Sequence, residues 1–156
     1  MRWVQALTEF RGRLRRRDFW IGLLILLLIE IALSFGLAGL MRPTGATPIE
    51  RAAVWLGLAI LLWGSAALIV KRLHDRGKSA LWYPLFGLAP ALCYHLGVVY
   101  SSNISNVLSP AQQAFWLLGG ILWLWAIVEL GFLPGTKGSN RYGPDPRGAN
   151  PVEVAT

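Results

Sequence analysis

The chain has 156 residues, 54% of them hydrophobic and 15% charged, with a net charge of +7. A soluble domain averages about 25% charged residues, so this composition excludes an ordinary water-soluble fold. A pI of about 10.3 would suggest nucleic acid in a soluble protein. In a membrane chain the same surplus sets topology, and no nucleic-acid partner is expected.

Residues 1–18 form a basic N-terminal segment with Arg2, Arg11, Arg13, Arg15, Arg16 and Arg17. The apolar stretch that follows, about 19–40, is too long for the core of a signal peptide and lacks a small-residue cleavage site. It reads as a retained first helix with Asp18 as its N-cap. Three more stretches follow at about 52–70, 81–100 and 114–133. Each holds close to 20 residues, and ~20 residues at ~1.5 Å each cross the ~30 Å hydrocarbon core of a bilayer. The fold class expected is an all-α membrane protein, a four-helix transmembrane bundle over 19–133.

The connections are short. Pro43, Gly45 and Pro48 mark a turn-forming segment at 41–51. Residues 71–80 form a basic loop in which Gly77 supplies a turn and Ser79 caps the third span. Pro84 suits a first helical turn, whereas Pro90 removes an internal hydrogen bond and is expected to kink span three. An uncharged segment rich in Ser and Asn, 101–113, leads to span four, which ends at Pro134-Gly135. The tail, 134–156, is rich in Gly, Pro and Asn and is expected to be irregular.

Lys and Arg fall almost wholly on one side of these spans, thirteen against two. Cytoplasmic loops carry such an excess, which places both termini and the 71–80 loop in the cytoplasm. Trp20, Trp82 and Tyr83 then lie at the inner headgroup level, and Trp55, Tyr100 and Trp116 at the outer one. Ala32 with Gly36, and Ala53 with Gly57, have the four-residue spacing that lets helices approach closely.

Few residues carry chemistry. Glu30 lies mid-span, where a carboxylate costs ~2.5–3.5 kcal/mol on insertion scales and so is expected to face protein or water. His95 lies at comparable depth. A packing hydrogen bond from Glu30 to His95, Trp63 or Trp123 is one reading, and a proton or ion relay the other. Glu129, near the inner end of span four, is expected to pair with Lys71 or Arg72. His74-Asp75 makes a poor catalytic dyad, since adjacent helical residues point ~100° apart. Cys93 is the single cysteine and reads as a small packing residue. Two distant histidines and one cysteine do not make a metal site, and no cofactor is expected. Gly135-Thr-Lys-Gly138-Ser lacks the spacing of a phosphate loop.

Three segments in this order resemble a known family. They are Phe10-Arg-Gly-Arg13 running to Phe19-Trp20; Lys71-Arg-Leu-His-Asp-Arg-Gly-Lys-Ser79 with Trp82; and Leu133-Pro-Gly135 with Gly138 and Asn140-Arg-Tyr-Gly-Pro-Asp-Pro146. Together they are similar to the YhaH-like small inner-membrane proteins of bacteria, a domain-of-unknown-function family, over about residues 5–147. Lys71 departs from a usual Arg-Arg pair, and Ala80 from a usual Gly. The resemblance implies an inner-membrane location and four helices but no activity.

All three segments lie on the side with the positive charge. A polar cluster of Arg13, Arg72, His74, Asp75, Ser79, Asn140, Arg141 and Tyr142 is expected there, with the tail folded back onto the 71–80 loop and the Arg13 region. The function expected is non-enzymatic: binding of anionic headgroups, a membrane-protein partner or a second copy through this face. The alternatives are a small oligomeric transporter using Glu30 and His95, or a lipid-headgroup enzyme at His74 and Asp75.

Overall fold

A computed structural model describes residues 7–40, 47–99 and 109–147. The segments 41–46 and 100–108, with Tyr100, and the end of the tail lie outside the described residues. Helix α1 spans Arg16–Leu40 and α2 spans Pro48–Asp75. After a 3-10 turn at Ala80–Trp82 and a π turn at Pro84–Leu88, α3 spans Ala89–Val99. Helix α4 spans Pro110–Ala126 and runs on as a π turn, Ile127–Phe132. No strand occurs among the described residues.

Local chemistry explains these boundaries. Helix α2 opens on a capping box: Thr47 Oγ1 accepts from the Glu50 N–H and the Glu50 carboxylate accepts from the Thr47 N–H, with Pro48 at the first helical position. Helix α4 opens on Ser109 in the same manner, its hydroxyl accepting from the Gln112 N–H. Helix α1 begins two residues before Asp18, which therefore sits in its first turn rather than at the expected N-cap. Ser79 holds the N-cap position of the 3-10 turn, but its side chain makes no capping bond.

The third apolar stretch is not one regular helix. Pro84 and Pro90 carry no N–H, and the backbone widens between them so that the Ala89 N–H reaches the Pro84 carbonyl five residues back. The expected kink takes the form of this π turn, with Pro90 fully buried beyond it. Among the described residues, three helices are individually long and apolar enough to cross a membrane: Arg16–Gly36, Pro48–Asp75 and Pro110–Phe132. At most 28% of the apolar window in each is buried in the protein. Leu28, Phe35, Leu56, Leu62, Leu117 and Leu124 all point outward, a surface that hydrocarbon covers without cost and water does not.

Helices α1 and α2 pack along each other, as do α3 and α4. The two pairs meet through the segments 80–88 and 127–132. The core lies accordingly at that end: Leu14, Phe19, Leu26, Leu68, Leu73, Phe86, Ala126 and Leu130. Of the small-residue pairs expected from the sequence, Gly57 lies against Leu33, while a side chain at Gly36 would meet open space. A Gly57→Leu chain is therefore expected to lose stability through overpacking, about 1–3 kcal/mol, whereas Gly36→Leu is expected to be neutral. Midpoints of unfolding in mixed micelles check both.

Candidate functional site

The last turns of α2 are enclosed on every side. Val70 through Asp75 are all buried, including Lys71, Arg72, His74 and Asp75. An α-helix of 28 residues is ~42 Å long, some 12 Å more than the hydrocarbon core. These polar turns are wrapped by the chain before α1 and the chain after α4.

Asp75 is the hub. Arg13 approaches Asp75 Oδ1 through Nε at 3.0 Å and Nη2 at 2.9 Å. Arg72, one turn earlier on α2, reaches Asp75 Oδ2 through Nη1. The three residues are 8%, 3% and 0% exposed for Arg13, Asp75 and Arg72. Two cations face one carboxylate, and both guanidinium groups also donate to backbone. Arg13 Nη1 donates to the Gly138 carbonyl at 2.6 Å and Nη2 to that of Thr136 at 2.5 Å. Arg72 Nε donates to the Leu130 carbonyl and Nη2 to that of Leu133, each at 2.5 Å.

The Leu130 and Leu133 carbonyls are available because a helix leaves its last four C=O groups without intrahelical partners. Around the π turn at the end of α4, neighbouring side chains take that role. Trp20 Nε1 donates to Gly131 at 3.2 Å, Arg16 to Phe132 at 3.0 Å, and Arg76 to Pro134 at 2.6 Å. The end of α2 is closed by the tail in turn. Thr136 donates to the Asp75 carbonyl through both its N–H and its hydroxyl, and Asn140 Nδ2 donates to the His74 carbonyl at 3.0 Å. Gly77, at φ +74°, completes a Schellman stop: its N–H reaches His74, and the Lys78 N–H reaches Leu73.

His74 and Asp75 do not act as a dyad, because their side chains diverge. The His74 ring lies on Tyr142 at 3.9 Å between centroids and 7° between planes. Its Nδ1 is 3.2 Å from the Gly12 carbonyl. A carbonyl only accepts, so the proton resides on Nδ1. Arg141 stacks over the far neighbourhood of the same tyrosine ring, 4.7 Å from its centroid. The structure thus gathers Arg13, Arg72, His74, Asp75, Asn140, Arg141 and Tyr142 at one end of the molecule. In the tail, the Arg147 N–H and then the Gly138 N–H hold the Asp145 carboxyl below its ordinary value. This turn is stabilised above the usual carboxylate range and loosens as pH falls through it.

Two sequence expectations are corrected. Glu129 pairs with Arg76 at 3.1 Å and Lys78 at 2.8 Å, not with Lys71 or Arg72. Arg72 is drawn away towards Asp75, and Arg76 and Lys78, past the helix stop, turn back over the end of α4. Glu30 makes no bond with His95, Trp63 or Trp123: Glu30 and His95 are both exposed on their helices, and the Trp63 indole donates to the Thr8 carbonyl at 3.0 Å. Trp63 is reached by the N-terminal segment itself, which also sets Phe10 edge-on against its ring at 4.9 Å. Sequence reasoning missed Thr136, Gly135 and the carbonyls of Gly12, Leu130 and Leu133, since backbone acceptors leave no signature in residue identity. Gly135 is the exception in principle. A Cβ there would run into the Asp75 carboxylate, so a glycine is required.

Removing the hub leaves two buried cations with half their partners. Asp75→Ala is expected to lose about 3–5 kcal/mol, and Asp75→Asn less, measured by unfolding in mixed micelles. Gly135→Ala is expected to lift the tail off α2. Limited proteolysis in membranes checks this, with faster cleavage at Lys137 and Arg141 than in the wild type.

Residues 7–144 match the family model described as "Protein of unknown function (DUF805)". The chain is 34% identical over 146 residues to the uncharacterized protein YiiR of Escherichia coli K12, covering 90% of this chain and 88% of that one. It is 29% identical over 140 residues to the inner membrane protein YhaH of the same strain, covering 88% and 87%. No solved structure matches. The matched span takes in the Arg13 segment, the C-terminal end of α2 and most of the tail that closes it, and this chain belongs to the DUF805 family of proteins of unknown function.

Proposed function

We propose that the chain is a non-enzymatic protein of the bacterial inner membrane that crosses it four times, with both termini in the cytoplasm, and docks anionic phospholipid headgroups at its polar end. The carrying observation is a small open cleft at the rim of the Asp75 cluster, lined by Arg15, Arg16, Arg72, Asp75, Gly135, Pro146 and Arg147. Asp75 is already engaged by Arg13 and Arg72, so the cleft keeps a surplus of positive charge. Arg15 and Arg16 are exposed there. The Arg16 side chain donates only to a backbone carbonyl, and the Arg15 side chain has no partner among the described residues. Each basic residue near an anionic surface contributes about 1 kcal/mol of attraction, and a guanidinium fork matches a phosphate in two-point geometry.

Supporting four crossings, the helical backbone is continuous from Ala80 to Val99 beside α4, apart from its change of pitch. The one-sided charge supports the orientation. On this reading residues 1–18 and 134–156 are the cytoplasmic segments and 19–133 the transmembrane domain. An enzyme reading has less to stand on, since both Asp75 oxygens and the His74 ring are engaged in structural contacts.

Native mass spectrometry from mild detergent tests the headgroup site. Wild type is expected to retain phosphatidylglycerol over phosphatidylcholine, and the R15A/R16A/R147A chain to lose that preference severalfold. Equal retention of both lipids by the wild type would sink the proposal. For topology, a green fluorescent protein fused after Thr156 is expected to fluoresce, and alkaline phosphatase to be active when joined within 41–46 or 101–108 but not within 76–79.

A further inference from the structure

Among the described residues, Glu30 and His95 are the carboxyl and imidazole groups that the fold leaves exposed midway along the apolar helices. Among the described residues neither makes a hydrogen bond or ion pair, and the ring contact at His95 is with its neighbour Tyr94, 5.8 Å away. They cannot meet within one copy: Glu30 is on α1, His95 is on α3, and α1 and α3 do not pack together.

Their depths agree. Leu26 lies against Gly64 and Leu33 against Gly57, which sets Glu30 opposite residue 60 or so of α2. That is about 12 residues, or ~18 Å, outward from Arg72. On the other helix pair, Cys93 lies against Gly119 of α4. Gly119 is about 11 residues, or ~16 Å, outward from Leu130, whose carbonyl takes the Arg72 guanidinium. His95 is ~3 Å further out. Acid and imidazole therefore sit within a few ångströms of one plane parallel to the membrane.

An unpartnered carboxyl and an unpartnered imidazole are both costly in hydrocarbon. Copies of one chain insert the same way up, so two groups can meet between copies only if they share a depth. We propose that a second copy of this chain covers these faces, with Glu30 of each copy hydrogen-bonded to His95 of the partner subunit. A two-fold axis along the membrane normal makes both pairs at once and closes the assembly. Leu88, Leu92 and Val98 flank His95 at helical spacing, and Leu27 and Ser34 stand one turn from Glu30. These small and apolar neighbours suit helix packing in lipid. This surface is independent of the arginine cleft.

Two tagged chains, E30C/C93A and H95C/C93A, co-expressed and oxidised in native membrane vesicles, are expected to form a disulfide-linked product carrying both tags. L62C/C93A, on the outward face of α2, is expected not to crosslink with either. In single-molecule photobleaching, wild type and E30Q are expected to bleach mainly in two steps, and E30L and H95L mainly in one. A wild type that bleaches in one step, without the two-tag product, overturns the proposal. So does crosslinking of E30C to a different protein in place of the tagged copy. Should E30L or H95L fail to reach the membrane, the crosslinking pair and the wild-type step count decide the matter.

Discussion

The polar end of the molecule depends on the Asp75 carboxylate between Arg13 and Arg72. A buried carboxylate with one cation is a marginal arrangement, because desolvation offsets much of the attraction. Here the carboxylate takes a cation on each oxygen, and the surplus guanidinium protons go to carbonyls at Leu130, Leu133, Thr136 and Gly138. Those carbonyls themselves need donors, since they lie at the end of α4 or in the turn after it. Excess donors and excess acceptors are thus disposed of together. Lysine at either arginine position would offer one compact charge in place of a planar fork and could not reach separated acceptors.

This hub also defines where the bundle is a bundle. At its level four segments of chain surround α2 and the core is filled by Leu14, Leu68, Leu73 and Leu130. Away from it the helices pack in pairs and present leucine to the surroundings. In lipid the apolar faces gain little from contacting each other, so the polar knot and not a hydrophobic core fixes how the pairs are arranged.

The sequence made the helical content and the membrane character legible, because length and hydropathy report directly on a bilayer. It also singled out the three polar segments whose Arg13, Asp75 and Asn140 the structure ties together. It did not reveal the pairing within the cluster. Glu129 chose Arg76 and Lys78 because the Gly77 stop swings both back towards α4, a geometry that counting along a helix does not capture. Helix α1 begins before Asp18, at Arg16, whose side chain also donates to the Phe132 carbonyl. Glu30 and His95 looked like a pair by depth alone. Depth is readable from spacing, whereas the direction in which a helix faces depends on its neighbours.

The contact from Arg13 to Gly138 joins residues 125 apart in the chain, with all three long apolar helices between them. During synthesis Arg13 leaves the ribosome before Arg72 and Asp75, and the carbonyls that complete both arginine shells emerge only after α4. A nascent chain short of residue 133 holds α2 with its terminal carbonyls open and its arginines hydrated. Closure of the polar end therefore waits until the turn after α4 has been made.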